Sequence, residues 1–253
     1  EVDRDYSASV EGIVIPSAWV RAAVDALERL GIAPTGARLL SLDVADEGAD
    51  KNALCGTRGV QIEYLDEWKG KGSDLYATTA RAFQVCDEMG YTGFRYDADG
   101  LGAGIRGDAR VLNEERRKTR RQINVQPFRG SEAVYPPEAV VEGTLGADGD
   151  KGRLNKDFFA NRKAQGWYSL SRRFYRTWRW VVGKVRCPTD DIISISTECP
   201  LWDKLVTELA QPTRTFNKAG KMLVDKKPKG MKSPNLADAV MIRFAEVEAA
   251  LNI

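Results

Sequence analysis

Residues 38–68 read RLLSLDVADEGADKNALCGTRGVQIEYLDEW. Three strand-length runs stand in this stretch, RLLSLDVA, NALCGTRG and VQIEYLDEW, separated by Asp, Gly and Asn. The connections are too short for a crossover helix, so the spacing predicts a three-stranded antiparallel meander. Upstream, PSAWVRAAVDALERLG predicts a helix, with Pro16 placed for its first turn and Gly31 for its C-cap.

Downstream the pattern changes. Ser73 to Met89 has helical periodicity with Ser73 as a cap, YTGFRYDADGLGAG runs from a strand into a glycine-rich turn, Gly104 to Lys118 is helical and INVQPF is a strand. Strand alternating with helix predicts parallel pairing after the meander, hence an α/β mixed sheet flanked by helices. Residues 130–153 are rich in Gly, Pro and acids and predict a long loop or insertion. There follow a long helix from Asn155 to Val182, a strand DDIISIS, a helix PLWDKLVTELAQ, a hairpin RTFNKAGKMLVDKK turning at Lys218–Gly220, and a final helix SPNLADAVMIRFAEVEAAL. In the long helix Phe174, Tyr175 and Trp178 interleave with arginines, and helical spacing favours the core over a nucleic-acid platform.

Composition narrows the chemistry. With 43% hydrophobic and 29% charged residues the chain is globular, and no apolar run approaches bilayer length. No signal-peptide pattern opens it, so the expected location is cytoplasmic. The four cysteines form no CxxC pair, which disfavours zinc and disulfides. There is no histidine, which excludes Ser-His-Asp and Cys-His catalysis and HExxH metalloproteases. Net charge is only +2, yet basic residues cluster at 116–121, 162–186 and 218–232, as expected when one face meets a polyanion.

Three acids occupy awkward places. Asp43 ends an apolar strand run, Asp97 stands where a strand gives way to a glycine turn, and Asp238 shares a helix side with Met241, Ile242 and Ala245. In open α/β sheets ligands bind beyond the carboxyl ends of parallel strands, which places Asp97 but not Asp43, assigned to the antiparallel part. Each acid singly has an ordinary explanation, as a turn cap, an Asx-turn or a lysine partner. Jointly they suit an all-oxygen site for Mg²⁺ or Mn²⁺, one ion or two, where a pair about 4 Å apart activates water and stabilises the leaving oxygen of a phosphodiester. Lys226, Lys227, Lys229 and Lys232 precede Asp238 and are candidate phosphate contacts.

The segments LDVADEGADKNAL, YDADGLGAG and above all GKMLVDKKPKGMKSPNLADAVM resemble the C-terminal nuclease domain of the large terminase subunit of tailed bacteriophages. AQGWYSLSRRF and DDIISIS are also similar to that family, and the resemblance spans nearly the whole chain. It implies an RNase H-like fold, cleavage of concatemeric DNA during genome packaging, and metal ligands at Asp43, Asp97 and Asp238. Asp46, Asp50 and Asp99 are candidate auxiliary acids, and Asn235 stands where some relatives carry a histidine or a further acid. The implied partners are double-stranded DNA, an N-terminal packaging ATPase domain, the small terminase subunit and the capsid portal, in the host cytoplasm. No GxxxxGK[ST] loop occurs, so the chain is expected to be the nuclease domain from residue 37 to 253, behind a linker and leading helix at 1–36. The competing expectations are a catalytically silent DNA- or portal-binding module and a different RNase H-like nuclease such as a junction resolvase.

Overall fold

Leu40 and Leu42 are wholly buried on one face of a strand whose other face carries Ser41 and Asp43. This strand, β1 (Arg38–Asp43), is the pivot of the molecule. The computed structural model describes residues 12–45, 50–70, 74–144, 152–228 and 230–246. Within them the chain runs through α1 (Ser17–Ala23), α2 (Ala26–Arg29), β1, β2 (Lys51–Arg58), β3 (Gln61–Lys69), α3 (Leu75–Met89), β4 (Gly93–Asp97), α4 (Ile105–Arg116) and β5 (Asn124–Phe128). It continues through α5 (Asn155–Phe158), α6 (Arg162–Val181), β6 (Ser194–Ile195), α7 (Trp202–Leu209), β7 (Thr213–Phe216), β8 (Met222–Asp225) and α8 (Asn235–Phe244).

The main sheet has the order β5-β4-β1-β2-β3-β6. β1, β2 and β3 form the expected antiparallel meander, while β4 and β5 add parallel to β1 on its other side. β1 therefore belongs to both parts of the sheet, and its end is also the carboxyl end of a parallel pair. The rule that places Asp97 places Asp43 as well.

Helices cover both faces. Leu40, Leu42, Leu54, Phe94 and Tyr96 pack with Phe83, Ile105 and Ala109 from α3 and α4. On the other face Ala53, Cys55, Ile62 and Phe128 pack with Trp167, Leu170 and Phe174 of α6 and with most of α8. Val14, Ile15, Val20 and Ala23 join that same core, and the Trp19 ring stands 4.9 Å from Tyr175. Phe174, Tyr175 and Trp178 are all buried, as the helical spacing predicts. Full burial of such a side chain contributes about 1.5–3 kcal/mol.

Several elements differ from the sequence expectation for local reasons. The leading helix breaks at Val24–Asp25. Asp25 turns left-handed (φ 48°), and its carboxylate accepts from the Thr197 backbone and hydroxyl while its N–H donates to Ile195 O. The long helix splits at Phe159–Asn161, where Asn161 caps α6 through the Ala164 N–H. Only Ser194–Ile195 of DDIISIS forms a strand, parallel to β3. Asp74, rather than Ser73, caps α3 by accepting from Ala77 N–H; Ser73 lies outside the described residues. The described part of the 130–153 loop is irregular but packed, with Val134 and Val141 buried against Phe159, Ala164 and Met222.

Candidate metal centre

Leu42 registers with Tyr96 in the parallel β1–β4 pair, so Asp43 and Asp97, the next residues, end adjacent strands side by side. α8 brings Asp238 over them. This helix is apolar on nearly every side and buried at every residue but Arg243, so Asp238 is buried by the position of the helix rather than by an apolar stripe. The Ser41 hydroxyl donates to Ala239 O at 2.7 Å, pinning α8 to β1 beside both Asp43 and Asp238. Both helix ends are tied as well. At the start Pro234, with no capping side chain, holds the N-cap position; the buried Glu208 carboxylate accepts from Ala237 N–H at 3.1 Å and does the capping from α7. At the other end the Arg95 Nη1 donates to Ile242 O at 3.0 Å and Ala245 O at 2.7 Å.

The charges around this point are unevenly satisfied. Asp238 is 1% exposed; its Oδ2 is ion-paired with Lys226 Nζ, and among the described residues its Oδ1 has no hydrogen-bond partner. Burial, then the neighbouring Asp238 charge, push the Asp43 carboxyl well above the usual range, with Lys226 pulling the other way. Asp97 is raised mainly by burial, while its Oδ1 accepts the Asp99 N–H at 3.0 Å. Burial disfavours the charged form of Lys226, but Asp238 and Asp43 outweigh it and hold the ammonium above the ordinary lysine value. Gly102 lets the turn after Asp97 fold back tightly, since a Cβ there would stand 1.7 Å from Asp97 O.

Among the described residues no three acidic or cysteine side chains are close enough to hold a cation by themselves. The three acids interact electrostatically, with Lys226 ion-paired among them and the Lys163 charge also acting on Asp43. Their donor chemistry fits a hard divalent ion: carboxylates only, one buried oxygen without a partner, and an ammonium standing where positive charge is needed.

The other sequence candidates fall elsewhere. Lys227 pairs with Asp50 at 2.8 Å on the surface. Asp99 accepts from Ser131 Oγ at 2.7 Å and Ser131 N–H at 2.9 Å, tying the Asp97 turn to the loop after β5. Asn235 is buried at the start of α8, and Lys232 is exposed. Asp46 and Lys229 lie outside the described residues. Sequence reasoning missed Glu208, Ser41, Lys163 and Gln211. The Gln211 amide donates to both Lys226 O and Lys232 O, closing the loop that carries the site lysine. One signal was readable: Arg162 and Lys163 put cations into the first turn of α6, the end that favours acids.

A six-stranded mixed sheet, antiparallel through β1–β3 with β4 and β5 added parallel and helices on both faces, has the RNase H-like architecture. Among solved structures, the nuclease domain of the large terminase subunit gp2 of bacterial virus Sf6 is 30% identical with a TM-score of 0.80, the match covering 93% of this chain and 99% of that one. A single-residue variant of that domain, solved with manganese and β-thujaplicinol, gives 30% identity, the same coverage and a TM-score of 0.81. The large terminase nuclease of thermophilic phage G20c with bound magnesium, 11% identical over 84% of this chain and 82% of that one at a TM-score of 0.50, shares the fold. No protein-family model and no curated protein matches. This chain belongs to the nuclease domains of phage large terminase subunits.

Proposed function

We propose that the chain is a divalent-metal-dependent endodeoxyribonuclease that cuts concatemeric viral DNA during genome packaging, with Asp43, Asp97 and Asp238 as the metal-binding carboxylates. The observation that carries this reading is Asp238: a carboxylate 1% exposed, with one oxygen on a lysine and the other without a partner among the described residues. A buried oxygen left unsatisfied costs about 1–3 kcal/mol or more, a cost that a bound cation would offset and that a silent binding module has no use for.

Bound Mg²⁺ or Mn²⁺ would supply an activated water and neutralise charge on the phosphodiester. The chain's own residues prepare the place. β1 and β4 aim two carboxylates from adjacent strand ends, and α8, tied by Ser41, Glu208 and Arg95, fixes the third. Lys226 offsets the mutual repulsion of Asp43 and Asp238 and would have to give up its hold on Asp238 Oδ2 for a divalent ion to take that oxygen. The partners in this reading are double-stranded DNA, a packaging ATPase domain, the small terminase subunit and the capsid portal, in the cytoplasm of the host; among the described residues no helix is long and apolar enough to cross a membrane.

Nicking of supercoiled plasmid tests the reading. Cleavage should need Mn²⁺ or Mg²⁺, stop with chelator, and be lost in Asp43→Asn, Asp97→Asn and Asp238→Asn while DNA binding remains. Native-level nicking by Asp238→Asn would overturn the assignment.

A further inference from the structure

Two lysines face the acids, and they are held differently. Lys226 is ion-paired with Asp238. Lys163 stands half-buried in the first turn of α6, and no carboxylate among the described residues lies within ion-pairing distance of it. Its charge nevertheless acts on both Asp43 and Asp97.

The backbone fixes where that side chain begins. The Lys163 N–H donates to Gly130 O at 2.9 Å, and a Cβ added to Gly130 would stand 3.0 Å from Lys163 Cβ and 3.5 Å from Asp99 Oδ2. The lysine stem thus leaves α6 between the loop after β5 and the turn that follows Asp97. A cation in the first turn of a 20-residue helix opposes the helix dipole. Arg162 beside it is offset by Glu132 at 3.4 Å, whereas Lys163 has no such offset. An ammonium held near acids that it does not contact suits an anion that is not part of the fold.

We propose that Lys163 contacts the phosphodiester being cut, donating from Nζ to a non-bridging phosphate oxygen, while Lys226 serves the carboxylates. The inference rests on the nuclease reading above. The Lys163 ammonium stabilises the charge that grows on the phosphoryl oxygens as water attacks.

The test compares native protein with Lys163→Gln and Lys163→Arg, all checked for native thermal melting. Binding of a short fluorescent duplex is measured in EDTA across a salt series. One lost phosphate contact lowers the slope of log K against log salt by about 0.9 in Lys163→Gln, and Lys163→Arg keeps the native slope. Plasmid nicking with Mn²⁺ falls at least about 100-fold in Lys163→Gln and recovers in part in Lys163→Arg. Mn²⁺ affinity by calorimetry stays at the native value in Lys163→Arg and rises by less than about tenfold in Lys163→Gln, where only a through-space repulsion is lost. An unchanged salt slope in Lys163→Gln overturns the proposal. So does a sharp rise in its Mn²⁺ affinity, which would make Lys163 a second stand-in for the metal. If native protein cuts no DNA, the nuclease reading fails alone, and the salt slope still decides whether Lys163 holds phosphate.

Discussion

Lys226 is bound to one oxygen of Asp238, and the other oxygen of that buried carboxylate has no partner among the described residues. The pair is half of an interaction: a carboxylate with two faces, one of them answered by an ammonium. Removing the lysine therefore has opposite effects on two measurable quantities. In Lys226→Ala, Mn²⁺ binds more tightly by about tenfold or more, since the competing cation is gone, which corresponds to about 1.4 kcal/mol. Without metal the same variant loses stability, toward the low end of the about 3–5 kcal/mol expected for a broken buried pair, because Lys226 keeps 23% of its side-chain surface exposed. Calorimetric titration and chemical denaturation read the two effects; weaker Mn²⁺ binding in the variant would contradict this account.

Asp43→Asn should stabilise the metal-free protein while abolishing nicking. Burial and the Asp238 charge raise the Asp43 carboxyl above the ordinary range, so its ionised form is disfavoured in the folded chain. The sign follows from linkage. The native carboxyl carries no penalty below the unfolded-chain value of about 3.9, and stability is lost as pH rises toward its raised folded value. Near neutral pH the asparagine variant should thus melt a few degrees higher, at about 2–4 °C per kcal/mol for a chain of this size, and the gain should vanish near pH 4. Equal melting temperatures near neutral pH would show that Asp43 is not destabilised in the fold.

Arg95 ties the end of α8 through the carbonyls of Ile242 and Ala245. Arg95→Met leaves these carbonyls without that donor, at about 1–3 kcal/mol for each buried group left unsatisfied. The melting temperature should fall, and nicking should fall at temperatures where the fold is still intact, because Asp238 rides on the same helix. Glu208→Gln at the other end keeps an oxygen acceptor for the Ala237 N–H and should cost less than Glu208→Ala.

Gly102→Ala and Gly107→Ala form a matched pair. A methyl at Gly102 would stand 1.7 Å from Asp97 O and must displace the turn, whereas one at Gly107 meets nothing within 4 Å. Displacing Asp97 by about 1 Å should lower nicking about 100-fold. The Gly107 change should leave nicking unchanged and raise stability by up to about 1 kcal/mol, since it fills an exposed helix position.

The sheet was legible in the sequence because its signals are local. The meander follows from the short stretches of sequence between β1, β2 and β3, and the parallel additions from the helices α3 and α4 that precede β4 and β5. The three acids were also legible, as charges at strand ends and in an apolar helix. Less legible was what depends on distant partners. Asp25 leaves the helical conformation to reach Thr197, and DDIISIS yields only two strand residues because just Ser194 and Ile195 lie alongside β3. Glu208 as the cap of α8 and Lys163 beside Asp43 and Asp97 join residues far apart in sequence, which no local pattern records. The lysine run before Asp238 read as a single phosphate-binding group, yet Lys226 turns inward to an acid and Lys227 outward to Asp50.

The central claim is that Asp43, Asp97 and Asp238 together hold the catalytic cation, and crystals soaked in Mn²⁺ test it most directly. The account predicts an anomalous peak touching all three carboxylates, including the now unpartnered Oδ1 of Asp238, with the Lys226 ammonium moved off Oδ2. No peak there in protein that nicks DNA under the same Mn²⁺ concentration would contradict it.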